Sequence, residues 1–121
     1  MSDPSSRAVG HLDAAGLRAR LDAGGPLVLL DVREPFERAI ATIGPTDSAV
    51  AVAIPMGEVP AHLDELAAVA ARGPIVVYCH HGQRSMVVAR WLAARGIAGL
   101  ANLDGGIDAW STDVDPSTPR Y

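Results

Sequence analysis

The 121-residue chain carries ten arginines, no lysine and fourteen acidic residues, which gives a formal net charge of −4. This composition contains no basic run for nucleic acid and no lysine for Schiff-base or Walker-type phosphate chemistry, so we expect no nucleic-acid partner. No stretch approaches the ~20 apolar residues that span a bilayer, and the N-terminus has no apolar signal region. A single cysteine fits a reducing compartment. We therefore expect a cytoplasmic protein with no membrane partner.

Helices and apolar strands alternate along the chain. A helix over 14–23, capped by Asp13, is the first predicted element. The following elements are predicted to be a strand over 27–32, a helix over 34–40, a strand over 49–54, a helix over 56–71, a strand over 75–78, a helix over 84–95, a strand over 100–103 and a helix over 106–110. Because the strands are apolar throughout, this order predicts an α/β fold with a parallel sheet covered on both faces.

The only cysteine follows the predicted strand 75–78 and precedes a predicted helix. In a strand, loop and helix unit of this kind, the loop N–H groups and the unpaired donors of the first helical turn converge on one point. A thiol at that point ionises readily, and the thiolate is the nucleophilic form. A lone cysteine is more often a buried small hydrophobe. Gly82, Arg84 and Ser85 favour the reactive interpretation of Cys79.

Residues 79–85, CHHGQRS, resemble the active-site loop of the rhodanese sulfurtransferases, in which Cys, Gly, Arg and Ser or Thr occupy these positions. Residues 30–37 (LDVREPFE) and 103–110 (LDGGIDAW) resemble two further signatures of the family. The resemblance implies a single-domain rhodanese-like fold, with a central parallel sheet of about five strands and helices on both faces. It covers residues 8–112, and we expect 1–7 and 113–121 to be flexible or loosely packed ends.

One segment departs from the family pattern. The family commonly has a Gly-His-Ile element after the helix of its first signature, whereas Ala41-Thr42-Ile43 stands here. A longer connection, 44–51, follows it. The resemblance therefore leaves the shape of this neighbouring loop undefined.

The resemblance implies transfer of a sulfane sulfur through a persulfide on Cys79, from a donor such as thiosulfate to cyanide, a thiol or a protein. No cofactor and no metal is required. Four residues separate Cys79 from Arg84, whereas related phosphatases use five, and a shorter ring of N–H donors suits a persulfide better than a phosphate. The alternative is a persulfide relay or regulatory interaction module, whose partners would be a desulfurase and a sulfur-carrier protein.

The loop supplies the predicted substrate-binding residues, which are His80, His81, Gly82, Gln83, Arg84 and Ser85. We expect the two histidines at the pocket rim and not in a metal site, since no ligand spacing accompanies them. Arg84 either holds a sulfonate of the donor or braces loop carbonyls. Ser85 either donates to the Cys79 thiolate or caps the helix.

Asp31 and Arg33, at the carboxyl end of the strand 27–32, are the predicted supporting residues. We expect Asp31, Arg33 and Glu37 to form a structural ion-pair group at the end of this strand rather than a catalytic set. Aromatic residues are expected in the core or in helix packing, and these are Phe36, Trp91 and Trp110.

Overall fold

A computed structural model of the protein describes residues 9–43 and 49–121. In this part of the chain, five parallel strands form a sheet in the order β1-β5-β4-β2-β3. The strands are β1 (Gly10–Leu12), β2 (Leu27–Asp31), β3 (Ala49–Ala53), β4 (Ile75–Tyr78) and β5 (Leu100–Leu103). The predicted α/β fold with a parallel sheet of about five strands is confirmed.

Helices connect the strands. They are α1 (Ala14–Ala23), α2 (Pro35–Ile40), a 3₁₀ helix (Met56–His62), α3 (Leu63–Ala70), α4 (Gln83–Ala94) and α5 (Gly106–Asp113). The Asp13 side chain accepts from the Gly16 N–H at 2.7 Å, as expected for the cap of α1. The 3₁₀ helix, α3 and α4 pack on one face of the sheet, while α1 and α5 pack on the other.

The two central strands, β2 and β4, contribute side chains to both packed faces. In β4, Ile75 and Val77 join the core with α3 and α4, whereas Val76 and Tyr78 join the core with α1 and α5. This alternation follows from the period of two in a strand. A strand buried on both faces needs apolar residues at every position, which is why β4 reads as an uninterrupted apolar run.

Three local features differ from the sequence prediction. The predicted helix over 56–71 is divided into the 3₁₀ helix and α3, because Pro60 lies inside it and cannot donate a backbone hydrogen bond. Strand β1 was not predicted, since three residues without a β-branched side chain give no strand pattern. Phe36 is 67% exposed and not a core residue, whereas Trp110 is buried.

The end of the chain makes specific contacts. Thr118 is buried, and its carbonyl accepts from Ser111 Oγ at 2.6 Å. Tyr121 reaches the site described below. The structure therefore packs part of 113–121. The sequence predicts this segment to be loose because its turn-forming polar residues give no periodic signal. The expected flexible segment 1–7 and most of the 44–51 connection lie outside the described residues.

Helix lengths also bear on membrane insertion. Within the described residues, no helix is long and apolar enough to cross a membrane.

Candidate active site

The candidate active site lies at the carboxyl ends of the parallel strands. Cys79 directly follows β4 and is 1% exposed. Arg33 lies two residues beyond β2, and Asp104 directly follows β5. In open parallel sheets this edge is where ligands bind. The topology thus brings together the residues that the sequence signatures place far apart.

Backbone N–H groups converge on the Cys79 sulfur as predicted. The Sγ atom accepts from the Gly82 N–H at 3.1 Å and from the Ser85 N–H at 3.3 Å. Gly82 has φ +102°, in the left-handed region, and it is the N-cap of α4. The positive end of the α4 dipole therefore faces the sulfur. This arrangement stabilises negative charge on a thiolate or a persulfide.

Arg84 forms a bidentate ion pair with Glu37. Its Nη1 and Nη2 atoms lie 2.6 Å and 2.8 Å from the two carboxylate oxygens. The Arg84 hydrogen bond is the main reason that the pKa of Glu37 falls to about 2. In the same pair, the hydrogen bond to Glu37 raises the pKa of Arg84. Sequence reasoning offered a sulfonate or loop carbonyls as partners of Arg84 and missed this carboxylate.

Asp31 and Arg33 form the expected ion pair at the end of β2. The distances are 3.0 Å from Nε to Oδ1 and 2.7 Å from Nη2 to Oδ2, and Arg33 is fully buried. Burial opposes the charge of Arg33, but the hydrogen bond to Asp31 raises the pKa of its guanidinium. The Glu37 carboxylate does not join Asp31 and Arg33, because it forms an ion pair with Arg84.

Tyr121 links the two ion pairs and was missed by sequence reasoning. Its hydroxyl donates to Glu37 Oε2 at 2.8 Å and accepts from Arg33 Nη1 at 2.9 Å. Its ring stacks on His80 with a centroid distance of 3.8 Å. Nothing in the local sequence signals this role, because the partners of the Tyr121 hydroxyl are more than 80 residues away in the chain.

The two histidines of the loop differ in environment. His80 is half-buried between Tyr121 and His81, with a centroid distance of 3.9 Å to the His81 ring. Burial, followed by the neighbouring His81, lowers the pKa of His80. His81 is exposed and lies 4.0 Å from an oxygen of Asp108. His81 is therefore open to solvent, whereas His80 is held in the ring stack, and Gln83 is exposed beside them at the start of α4.

Ser85 is fully buried, and both its backbone and its hydroxyl contact the thiol. The hydroxyl lies 3.3 Å from Cys79 Sγ and donates to Asn102 Oδ1 at 2.5 Å. Ser85 is the third residue of α4, whose N-cap is Gly82, so capping by Ser85 is not observed. Asn102, on β5, is a site residue that the sequence did not reveal, since it occupies a position within a strand.

Helix α5 holds the active-site loop from outside. The N–H groups of Ile107 and Asp108 donate to the carbonyls of Cys79 and His80 at 3.0 Å and 3.1 Å. Gly106 has φ +61°, and a Cβ there would overlap both of those carbonyls. Gly106 thus allows α5 to approach the loop closely.

A family model for the rhodanese-like domain matches residues 13–113. The chain belongs to this family. Its predicted membership, drawn from three short signatures, is confirmed.

Relatives of similar length are named sulfurtransferases. The chain is 32% identical to the putative sulfurtransferase YtwF of Bacillus subtilis, over 88% of this chain and 94% of that protein. It shares its fold with human single-domain sulfurtransferase TSTD1 at a TM-score of 0.69 and 26% identity, over 88% of this chain and 98% of that one. These likenesses support sulfur transfer at the level of the family.

Longer relatives contain this domain as one part. The chain is 32% identical to adenylyltransferase and sulfurtransferase MOCS3-2 of Zea mays, and the match extends over 100% of this chain and 26% of that protein. The chain thus spans about a quarter of the length of that relative.

Close approach of α5 gives a first prediction. We expect Gly106→Ala to lower both the free energy of unfolding and the alkylation rate of Cys79, because a Cβ would push against the loop carbonyls. Gly96→Ala is the matched control, since Gly96 has φ +91° but open space around it. The control should cost only the left-handed strain of about 1–2 kcal/mol. Equal effects of both substitutions on unfolding and alkylation would contradict a specific role for the contact.

The Glu37 carboxylate gives a second prediction. Since its pKa is lowered from 4.5 to about 2, it stabilises the fold above pH 4.5, and this contribution is lost as the pH falls towards 2. The excess stability of the wild type over Glu37→Gln should therefore be largest near neutrality and shrink across that window. Urea unfolding at a series of pH values measures it. Glu58→Gln, on an exposed carboxylate, is the control substitution. A stability difference for Glu37→Gln that does not vary with pH would refute the assignment.

Proposed function

We propose that the protein is a sulfurtransferase that carries a sulfane sulfur as a persulfide on Cys79. The observation that carries this proposal is the pair of N–H groups, from Gly82 and Ser85, that contact the sulfur of the only cysteine in the chain. A donor such as thiosulfate and an acceptor such as cyanide, a thiol or a protein are the proposed substrates. The cytoplasm is the proposed location.

The reaction proceeds by double displacement at sulfur. The Cys79 thiolate attacks the outer sulfur of thiosulfate, the S–S bond of the donor breaks, and its electron pair leaves with sulfite. An acceptor nucleophile then attacks the terminal sulfur of the persulfide. The electron pair of that S–S bond returns to Cys79 and regenerates the thiolate. No external oxidant, reductant or cofactor is needed for this balance.

Backbone donors stabilise the negative charge through both steps. Gln83 and Arg84 are the first two residues of α4, where helix geometry gives an N–H group no intrahelical acceptor. Their N–H groups are therefore suited to the outer sulfur of the persulfide, while those of Gly82 and Ser85 contact Sγ. Such donors require no rearrangement when charge develops.

Arg84 is the proposed contact for the anionic part of the donor. Its pairing with Glu37 uses two of the five N–H donors of a guanidinium, and its side chain is 36% exposed. The remaining donors can bind a sulfonate while Glu37 fixes the orientation of the group. His81, exposed on the rim, adds positive charge when it is protonated.

A second candidate function is a persulfide relay or regulatory interaction module. Two exposed apolar side chains favour it, Phe36 at 67% and Val87 at 55% exposure. Phe36 is adjacent to Glu37, and Val87 lies on α4. In longer relatives this domain is part of a larger protein, as in the maize match. A desulfurase would then supply the sulfur, and a sulfur-carrier protein would accept it.

A third prediction tests persulfide formation. The reduced protein should gain about one sulfur atom, ~32 Da, after incubation with thiosulfate, and cyanide should remove it. Intact-mass measurement records both steps. Cys79→Ala is the control and should gain nothing, because the chain has no other cysteine.

An unchanged wild-type mass with a reduced, alkylatable thiol would refute transfer from thiosulfate. Mass gain only with a cysteine desulfurase as donor would favour the relay. Steady-state thiocyanate formation from thiosulfate and cyanide separates the two functions, since only the first requires small-molecule turnover.

A fourth prediction concerns Arg84. Arg84→Lys keeps the charge, but an ammonium cannot form the parallel contacts of a guanidinium. We expect kcat/KM for thiosulfate to fall roughly ten-fold, with a smaller effect on sulfur transfer from the preformed persulfide. Glu37→Gln is the comparison, because it disturbs the pair and leaves the Arg84 charge in place. Equal losses in both half-reactions for both variants would show that Arg84 only braces the loop.

A further inference from the structure

A chain of hydrogen-bonded side chains leads from the protein surface to the thiol. Asp104 Oδ1 accepts from Asn102 Nδ2 at 2.9 Å, Asn102 Oδ1 accepts from the Ser85 hydroxyl at 2.5 Å, and that hydroxyl oxygen lies 3.3 Å from Cys79 Sγ. Asn102, Ser85 and Cys79 are each at most 3% exposed. Water therefore cannot substitute freely for these partners.

The orientation of the Asn102 amide is fixed by its neighbours. Its Nδ2 lies 3.2 Å from the Gly82 carbonyl oxygen and 2.9 Å from the Asp104 carboxylate, and both of these groups only accept. The NH₂ group must face them, and so Oδ1 must face Ser85. His11 Nδ1 also lies 3.0 Å from the Asp104 carboxylate oxygens. This contact fixes Asp104 at the outer end of the series of hydrogen bonds.

The Ser85 hydroxyl has only one hydrogen to give. When this hydrogen lies on the bond to Asn102, the Ser85 oxygen presents lone pairs to Cys79. A protonated Cys79 can donate its S–H into those lone pairs and still accept from the N–H groups of Gly82 and Ser85. The neutral thiol is therefore fully matched to its surroundings.

We propose that Asn102 is a positioning residue that competes with the Cys79 thiolate for the single hydroxyl hydrogen of Ser85. Loss of the thiol proton leaves an anion facing the Ser85 lone pairs. If the hydroxyl rotates to donate to the thiolate, Asn102 Oδ1 loses its donor in a buried position. Either outcome disfavours the free thiolate and opposes the stabilisation from the loop N–H groups.

Charged groups near the thiol do not remove the competition between Asn102 and the thiolate for the Ser85 hydrogen. Arg84, at the start of α4, has an electrostatic interaction with Cys79, and Glu37 of α2 neutralises it in a close pair. His80 follows Cys79 in the loop, and its ring stacks on that of Tyr121. On the β5 side, the nearest carboxylate in the chain of contacts is Asp104, which acts through Asn102.

If the proposed function holds, the competition also affects the relative stability of the thiolate and the persulfide of Cys79. In the persulfide the negative charge lies on the outer sulfur, and Sγ becomes a neutral bridging atom. The Ser85–Asn102 bond can then persist without facing an anion. Asn102 thus destabilises the free thiolate of Cys79 relative to its persulfide.

The test measures the pH midpoint of Cys79 alkylation by iodoacetamide in the reduced protein without any sulfur donor. Asn102→Leu keeps the number and branching of the side-chain heavy atoms, removes the acceptor and frees the Ser85 hydroxyl for the thiolate. We expect its midpoint to fall by about one pH unit, as for a gained hydrogen bond to a charged group. Ser85→Ala alone should leave the midpoint within about 0.3 units of the wild type or lower it.

The double variant Ser85→Ala with Asn102→Leu identifies the route of the effect. We expect it to match Ser85→Ala, because Asn102 acts through the hydroxyl. A shift that persists in this background, an unchanged midpoint for Asn102→Leu, or a rise of a unit for Ser85→Ala would overturn the proposal. Asn102→Ala replaces Asn102→Leu if the latter does not fold. Since no sulfur donor is present, the result is independent of whether sulfur transfer occurs.

Discussion

Two N–H···S contacts, from Gly82 and Ser85 to Cys79, are the interaction on which the site depends. Carbonyl groups of the same loop also need donors where they are buried. The structure supplies these donors from two later elements. Helix α5 donates to the carbonyls of Cys79 and His80, and Asn102 of β5 donates to that of Gly82. The loop is therefore held open for an anion by contacts on its outer side.

Charge balance around the loop is achieved by two cations and two anions in partly or fully buried positions. Asp31 pairs with Arg33, and Glu37 pairs with Arg84. The Tyr121 hydroxyl joins the pairs, because it accepts from Arg33 and donates to Glu37. Loss of one partner would leave an uncompensated charge, which costs more than the pair contributes. This set thus couples the start of α4 to the end of β2.

Local sequence patterns were sufficient for strands β2 to β5 and for the loop, but not for β1 or for the contacts that hold the loop. The apolar run of β4 and the glycine of the Cys79 loop act within a few residues. Glu37 and Arg84 are 47 residues apart, Tyr121 and Glu37 are 84 apart, and Ser85 and Asn102 are 17 apart. Pairing over such separations follows from the strand order, which periodicity alone does not specify. Asn102 in particular occupies a strand position where its amide gives no motif.

Burial of Cys79 limits which atoms of the proposed site a partner can reach. Cys79 is 1% exposed, so the thiol itself offers little surface to an acceptor. In the proposed persulfide, the S–S bond would place the outer sulfur about 2 Å beyond Sγ, towards the rim of the loop. His80 and Tyr121 stack on one side of that rim, whereas Gln83 is exposed at the start of α4. We therefore expect an acceptor to approach the proposed persulfide along the first turn of α4, where helix N–H groups have no intrahelical acceptor.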